Sequence, residues 1–206
     1  MEVVRLLAAD PQAATARDSD GATPLHVAAL NGRVEVASLL LAAAPSTATA
    51  VELDGATPLH LAAWEGQQAV VALLLAAAPG TAAATDSAGA LPLHMAAREG
   101  HEAVARLLVQ TAPVTALAAD LEGATPLHYA AWAGHAGVAG LLLAAAHAAA
   151  WTPDRKGCLP LHYAAQGGCL AAVRQLAAAA PGTACTANGS GRTPLMAAIS
   201  KRHGAV

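Results

Sequence analysis

Phenylalanine is absent from this 206-residue sequence, isoleucine occurs once (Ile199), and lysine (Lys156, Lys201) and asparagine (Asn31, Asn188) occur twice each. Charge is sparse too. With 12% charged and 55% hydrophobic residues the chain is too apolar for a disordered or solvating tail, so it is expected to fold. Eleven Lys and Arg against 14 Asp and Glu give a formal net charge of −3 and a pI near 6.3. The clustered positive charge that phosphate binding requires is therefore missing, and nucleic acid is not expected as the main partner. Cysteine is scarce and odd in number: Cys158, Cys169 and Cys185 contain no CxxC spacing. They cannot form a disulfide framework, and a reducing compartment is expected, cytoplasmic or nuclear. Long apolar runs are lacking as well. The longest, from Val138 to Trp151, contains His147 and falls short of the ~20 residues a membrane-spanning helix needs. The positive mean hydropathy of +0.44 comes from alanine, and no membrane insertion is expected. The start, Met1-Glu-Val-Val-Arg-Leu-Leu, has no basic region followed by an apolar stretch and a cleavage site, so no secretory signal is read.

What is present is a repeat. Pro24, Pro58, Pro92, Pro126, Pro160 and Pro194 are each 34 residues apart, and Gly21, Gly55, Gly89, Gly123, Gly157 and Gly191 keep the same register. His26, His60, His94, His128 and His162 keep it too. A second proline, at Pro11, Pro45, Pro79, Pro113 and Pro181, with His147 standing in once, divides each unit into two helical pieces. In Thr57-Pro-Leu-His-Leu-Ala-Ala-Trp-Glu-Gly66 the threonine can cap a helix, the proline fits its first turn and the glycine ends it. From Gln67 to Ala78, Val70, Val71, Leu74 and Leu75 recur at helical spacing, with no breaker until Pro79. Gly80, Thr81, Thr85, Asp86, Ser87 and Gly89 then form turns, which predicts an extended hairpin or finger leading into the next unit.

The pattern Thr-Pro-Leu-His-x-Ala-Ala-x-x-Gly, at 57–66 and 125–134, resembles the ankyrin repeat, and the resemblance covers essentially the whole chain. A 34-residue period also suits the tetratricopeptide repeat, but its helices would have to run through the proline- and glycine-bearing finger. Each unit is one residue longer than the usual 33, and its second helix ends in Ala-Ala-Ala-Pro instead of in glycine. Leu91 and Leu159 replace the capping threonine, which predicts two softer units, each lacking a hydrogen bond worth ~1 kcal/mol.

The resemblance implies an all-α ankyrin-type solenoid of helix-turn-helix units with short hairpin fingers. One domain over 1–206 is expected, with whole units at 21–54, 55–88, 89–122, 123–156 and 157–190 and partial units at 1–20 and 191–206. Val3, Val4, Leu6 and Leu7 at one end, and Leu195, Met196 and Ile199 at the other, then have no outer neighbour. That predicts a fragment of a longer protein or end-to-end self-association through the uncapped half units.

Nine histidines invite a metal or catalytic role. However, one per unit places successive rings ~8–10 Å apart, whereas ligands of one metal each lie ~2.0–2.1 Å from it. The row from His26 to His162 is read as structural, bonding backbone between neighbouring units, and His101, His135 and His203 as a second such row. No nucleophile elbow and no phosphate loop occurs, so no enzyme, cofactor or metal site is expected. Asp18, Glu52, Asp86, Asp120, Asp154 and Asn188 each precede a repeat glycine by three and are read as turn closers.

Positions that differ between units are free to carry specificity. In ankyrin-like proteins those after the Ala-Ala pair tend to face a concave groove: Leu30 and Asn31, Trp64 and Glu65, Arg98 and Glu99, Trp132 and Ala133, Gln166 and Gly167. Trp64, Arg98 and Trp132 would stand in a row, a guanidinium between two indoles, residue types enriched at interface hot spots. Packing of each indole on its neighbouring unit is the other reading. The second variable set is the fingertips: Ser19 and Asp20, Leu53 and Asp54, Ser87 and Ala88, Leu121 and Glu122, Arg155 and Lys156, Ser190 and Arg192. Residues 1–150 carry 13 acids and 5 bases, and 151–206 carry 1 acid and 6 bases, so the tips change sign along the chain. A partner of opposite pattern would be steered into one register, unless the tips are simply solvated. Trp151, in an irregular stretch after His147, reads as a contact or a plug. Together these features, with the resemblance, predict non-catalytic recognition of another protein. The alternatives are a recognition arm of a larger enzyme or channel, and a structural spacer.

Overall fold

The computed structural model describes residues 4–5 and 9–202. The expectations resting on residues 1–3 and 6–8, and on His203, lie outside that range. Each repeat proline opens a helix, because its missing N–H costs nothing in a first turn whose amides have no intrahelical acceptor. These first helices are Pro24–Leu30 (α1), Pro58–Trp64 (α3), Pro92–Glu99 (α5), Pro126–Ala133 (α7), Pro160–Gly167 (α9) and Pro194–Arg202 (α11). The second helices are Val34–Ala43 (α2), Gln68–Ala77 (α4), Glu102–Thr111 (α6), Ala136–Ala145 (α8) and Leu170–Ala179 (α10). Between the two helices of a unit sits a glycine in left-handed backbone. Gly100 has φ +81°, and a Cβ there would also run into the His135 ring of the following turn. Both facts demand glycine.

Stacking obeys the register. α1, α3, α5, α7, α9 and α11 pack in that order along one side, and α2, α4, α6, α8 and α10 along the other. The paired alanines, such as Ala62 and Ala63, are fully buried, and their small side chains let neighbouring first helices approach closely. Leu25, Leu59, Leu93 and Leu127 from the first helices meet Leu74, Leu108 and Leu142 from the second ones in a continuous, fully buried core. No long-range packing between distant units is needed, as in any solenoid.

The linking segments differ from expectation in two ways. First, the second proline opens a five-residue 3-10 turn, as in Pro45–Thr49, Pro79–Ala83 and Pro113–Leu117, and the finger begins only after it. In those turns the hydroxyls of Thr47, Thr81 and Thr115 donate to the carbonyls of Ala44, Ala78 and Ala112, at 2.6 Å each. Second, the stretch after His147 is not irregular: His147–Trp151 forms the same 3-10 turn without proline or threonine. As expected, Leu91 and Leu159 lack the hydroxyl that Thr23, Thr57 and Thr125 place beside the histidine Nδ1. Their N–H groups still donate to Nδ1 of His94 and His162, at 2.9 and 3.0 Å. Both leucines are buried.

The fingers contain no β-strand among the described residues, yet backbone bonds tie each to the next. Leu53 N–H donates to the Asp20 carbonyl, Ser87 to Asp54, Leu121 to Ala88, Arg155 to Glu122 and Gly189 to Lys156, all at 2.8–2.9 Å. This register makes Gly189 and Ser190 the sixth fingertip pair, correcting the assignment of Arg192. The Arg192 N–H instead donates to Asn188 Oδ1.

Candidate functional site

Two rows of side chains hold the scaffold, and residues outside those rows define the site. In the first row, Nδ1 of His26 accepts from Thr23 N–H at 3.0 Å and lies 2.9 Å from the Thr23 hydroxyl. Nδ1 therefore carries no proton, and Nε2–H donates to the Ala56 carbonyl of the next unit at 3.2 Å. His60, His94, His128 and His162 repeat this bond to Ala90, Ala124, Cys158 and Arg192 at 3.0–3.1 Å. In four of these rings burial favours the neutral form: it lowers the pKa of His26, His60 and His128, and that of His94 to about 4, with the bond to the carbonyl opposing. With both nitrogens engaged, no ring is poised to act as ligand or base. Among the described residues no three His, Cys, Asp or Glu side chains converge on a point that could hold a metal.

The second row reaches back one unit from the start of three of the second helices, with no such bond from His135 among the described residues. His101 Nε2 donates to the Trp64 carbonyl at 2.8 Å, Gln67 Nε2 to that of Leu30 at 3.3 Å, and the Cys169 thiol approaches that of Trp132 at 3.8 Å. At the fingers, one side-chain oxygen of Asp18, Asp86, Asp120, Asp154 and Asn188 accepts from the amides two and four residues on. Glu52, one methylene longer, departs from this pattern. Its carboxyl is pushed up by burial first, then by the charges of Asp54, Asp20 and Asp18.

Two tyrosines went unread in the sequence. Tyr129 donates to Asp120 Oδ2 at 2.7 Å and Tyr163 to Asp154 Oδ2 at 2.8 Å. Each ring stands edge-on to a row histidine, Tyr129 to His94 at 5.4 Å and Tyr163 to His128 at 5.0 Å. Burial, and then the aspartate bond, pushes both phenols well above their usual range.

Around these tyrosines the two variable sets meet. A recess of about 250 Å³ is bounded by Arg98, Tyr129, Trp132 and Tyr163 from the first helices and by Glu122 and Lys156 from the fingertips. Trp132 is 46% exposed there. The Arg98 guanidinium lies 4.9 Å over the Trp64 ring and 3.6 Å from Glu99. It is therefore stacked on one indole, while Trp132 lies farther along the same row. Lys156 and Glu122 form an exposed ion pair at 3.5 Å. Asp54 and Leu53 stand on an exposed tip two fingers away, and Leu30, Asn31 and Glu65 are exposed at helix ends. Asn31 turns its amide onto Val27. Gln166 lies apart from the recess, beside Leu195 and Ile199 of α11. The Arg155 backbone belongs to the finger ladder. Trp151 is half exposed and covers Gly182, where a Cβ would strike its ring, so the indole is a plug over the neighbouring turn.

At the end of the stack, Leu170, Leu195, Met196 and Ile199 remain exposed. Among the described residues no helix is long and apolar enough to cross a membrane.

Comparison with known proteins agrees with this architecture. No curated protein matches the chain. The family model for ankyrin repeats matches three times, at residues 1–82, 78–150 and 141–206. Together these matches run the length of the sequence, and the chain belongs to the ankyrin repeat family.

Proposed function

We propose that this chain is a non-catalytic recognition module that binds a partner protein through its concave helix face and fingertips. Ankyrin repeats are generally protein–protein interaction modules, and the finer reading rests on one observation. Arg98 and Trp132 of the helices and Glu122 and Lys156 of the fingers, four side chains that the repeat register does not require, meet around a single recess. Tryptophan, tyrosine and arginine are the residue types that carry most binding energy at protein interfaces. Leu30, Asn31, Asp54, Trp64, Glu65, Glu99, Arg155 and Gln166 extend the proposed surface along the groove, its fingers and its far end.

The test is partner capture from source-cell extract with the native chain and with Trp64→Ala/Arg98→Ala/Trp132→Ala, after both show equal helicity. Loss of a specific partner supports the groove; retention of the same partners moves recognition elsewhere.

A second reading, end-to-end self-association, is favoured by an open apolar seat of about 490 Å³ between α10 and α11, bounded by Leu170, Val173, Leu195 and Ala198. Light scattering across a concentration series tests it, and a mass that stays monomeric at high concentration removes it.

A further inference from the structure

The groove has a chemical polarity that runs along the stack. Its floor, from Leu30 through Trp64 to Trp132, is apolar and aromatic, interrupted by Arg98, which Glu99 and the Trp64 face already engage. Carboxylates rim its earlier part, Asp20 and Asp54 on the fingers and Glu65 and Glu99 at the helix ends, while at the recess Glu122 is paired with Lys156. Negative charge is densest at the first fingers, where Asp18, Asp20, Glu52 and Asp54 lie together, and among the described residues none of the four enters an ion pair. The nearby cation, Arg17, directs its guanidinium to the carbonyls of Gly21 and Val51, at 2.6 Å each. Burial first, and then the charges of Asp54, Asp20 and Asp18, raise the Glu52 carboxyl.

Building on the reading of the groove as the partner site, we infer that its occupant is a linear segment of another protein. The segment places an aromatic or branched aliphatic anchor in the recess beside Trp132 and lysine or arginine over the Asp54 and Asp20 fingers. Apolar floor and acidic rim complement that pattern and repel an acidic one.

Geometry also sets its spacing. Neighbouring units stack ~8–10 Å apart, so Asp54 lies roughly 16–20 Å and Asp20 roughly 24–30 Å from the Glu122 finger at the recess. An extended chain advances about 3.3 Å per residue. The positive residues then fall about 5–6 and about 7–9 residues from the anchor.

The probe is a displayed library of random 14-residue peptides selected on the immobilised chain. Enriched peptides are then measured by fluorescence anisotropy at low and at physiological salt. Three proteins of equal helicity are compared: the native chain, Asp20→Asn/Asp54→Asn, and Trp132→Ala. The expected peptides carry an anchor with Lys or Arg at those spacings. The fingertip variant weakens them about fivefold or more at low salt, an effect that shrinks as salt rises, and Trp132→Ala weakens them about 30-fold. Acidic or uncharged peptides that still depend on Trp132 overturn the charge assignment and leave the recognition reading standing. Peptides indifferent to both variants overturn the inference and the groove together. No enrichment, with partner capture still sensitive to Trp64, Arg98 and Trp132, overturns the linear segment alone.

Discussion

Nε2 of His94 lies 3.1 Å from the carbonyl oxygen of Ala124, thirty residues further on and in the next unit. Its other nitrogen closes the start of its own helix on Leu91 N–H. One fully buried side chain thus fixes a helix end and joins two units. Truncation to His94→Ala leaves the buried Leu91 amide without a partner, costing about 1–3 kcal/mol, and removes one of the two bonds to the Ala124 carbonyl, which still accepts from Asp120 N–H. Chemical denaturation at pH 7 is expected to show a loss of about 2–4 kcal/mol. A change below about 1 kcal/mol would mean that the ladder bond is dispensable.

The same row makes stability depend on pH. A base whose folded pKa is depressed binds fewer protons when folded than when unfolded, so its contribution is full above the unfolded pKa and falls with pH. For His94 the window runs from the ordinary 6.5 down to about 4. At one pKa unit per 1.36 kcal/mol, about 2 kcal/mol should be gone by pH 5 from this residue. His26, His60 and His128 act in the same direction, and Glu52, whose carboxyl is raised, acts weakly in the opposite one. Urea midpoints at pH 7.5 and 5 should therefore differ more for the native chain than for His94→Gln. Equal differences would exclude His94 as a source of the pH dependence.

The two tyrosines give a spectroscopic check. Their phenols are raised by burial and by Asp120 and Asp154, so the folded chain should show little tyrosinate absorbance at pH 10.5, while the denatured chain shows about three quarters of the full signal. An acid whose folded pKa is raised gives stability that is present below its unfolded value and lost as pH rises above it. Tyr129→Phe removes the 2.7 Å bond to Asp120 and should cost about 1–2 kcal/mol at pH 7. Free titration of both phenols near pH 10 in the folded chain would contradict the buried aspartate pairing.

The difference between what could and could not be read in the sequence has physical causes. Pro58, His60 and Gly66 recur because backbone demands them: a first turn without an amide, an inter-unit bond, a left-handed turn. Such demands repeat once per unit and are visible as a period. The 3-10 turns were less visible, since a proline marks the end of one helix without specifying the conformation of the residues after it. The threonine two residues beyond the proline, as in Pro79 and Thr81, was the available signal. Tyr129 and Tyr163 were missed because their register position holds Val27, Leu61 and Met95 in other units, which suggests plain packing. Their placement nine residues after Asp120 and Asp154 was the clue, and it needs the fold to bring each pair together. The recess was invisible for the same reason, because helix and finger sets meet only across neighbouring units.

Arg98 separates stability from recognition. Its guanidinium rests on Trp64 and beside Glu99 at a half-exposed position, where a cation–π contact contributes about 0.5–1 kcal/mol and an exposed ion pair less. Arg98→Ala should therefore lower the unfolding free energy by no more than about 1 kcal/mol and shift the fluorescence of Trp64 as its ring becomes hydrated. Arg98→Lys keeps the charge but not the planar stacking, so it should restore salt-dependent attraction without restoring the fluorescence. A loss above about 3 kcal/mol for Arg98→Ala would show that the scaffold itself depends on this residue, and binding defects of the triple variant could then no longer be assigned to the groove.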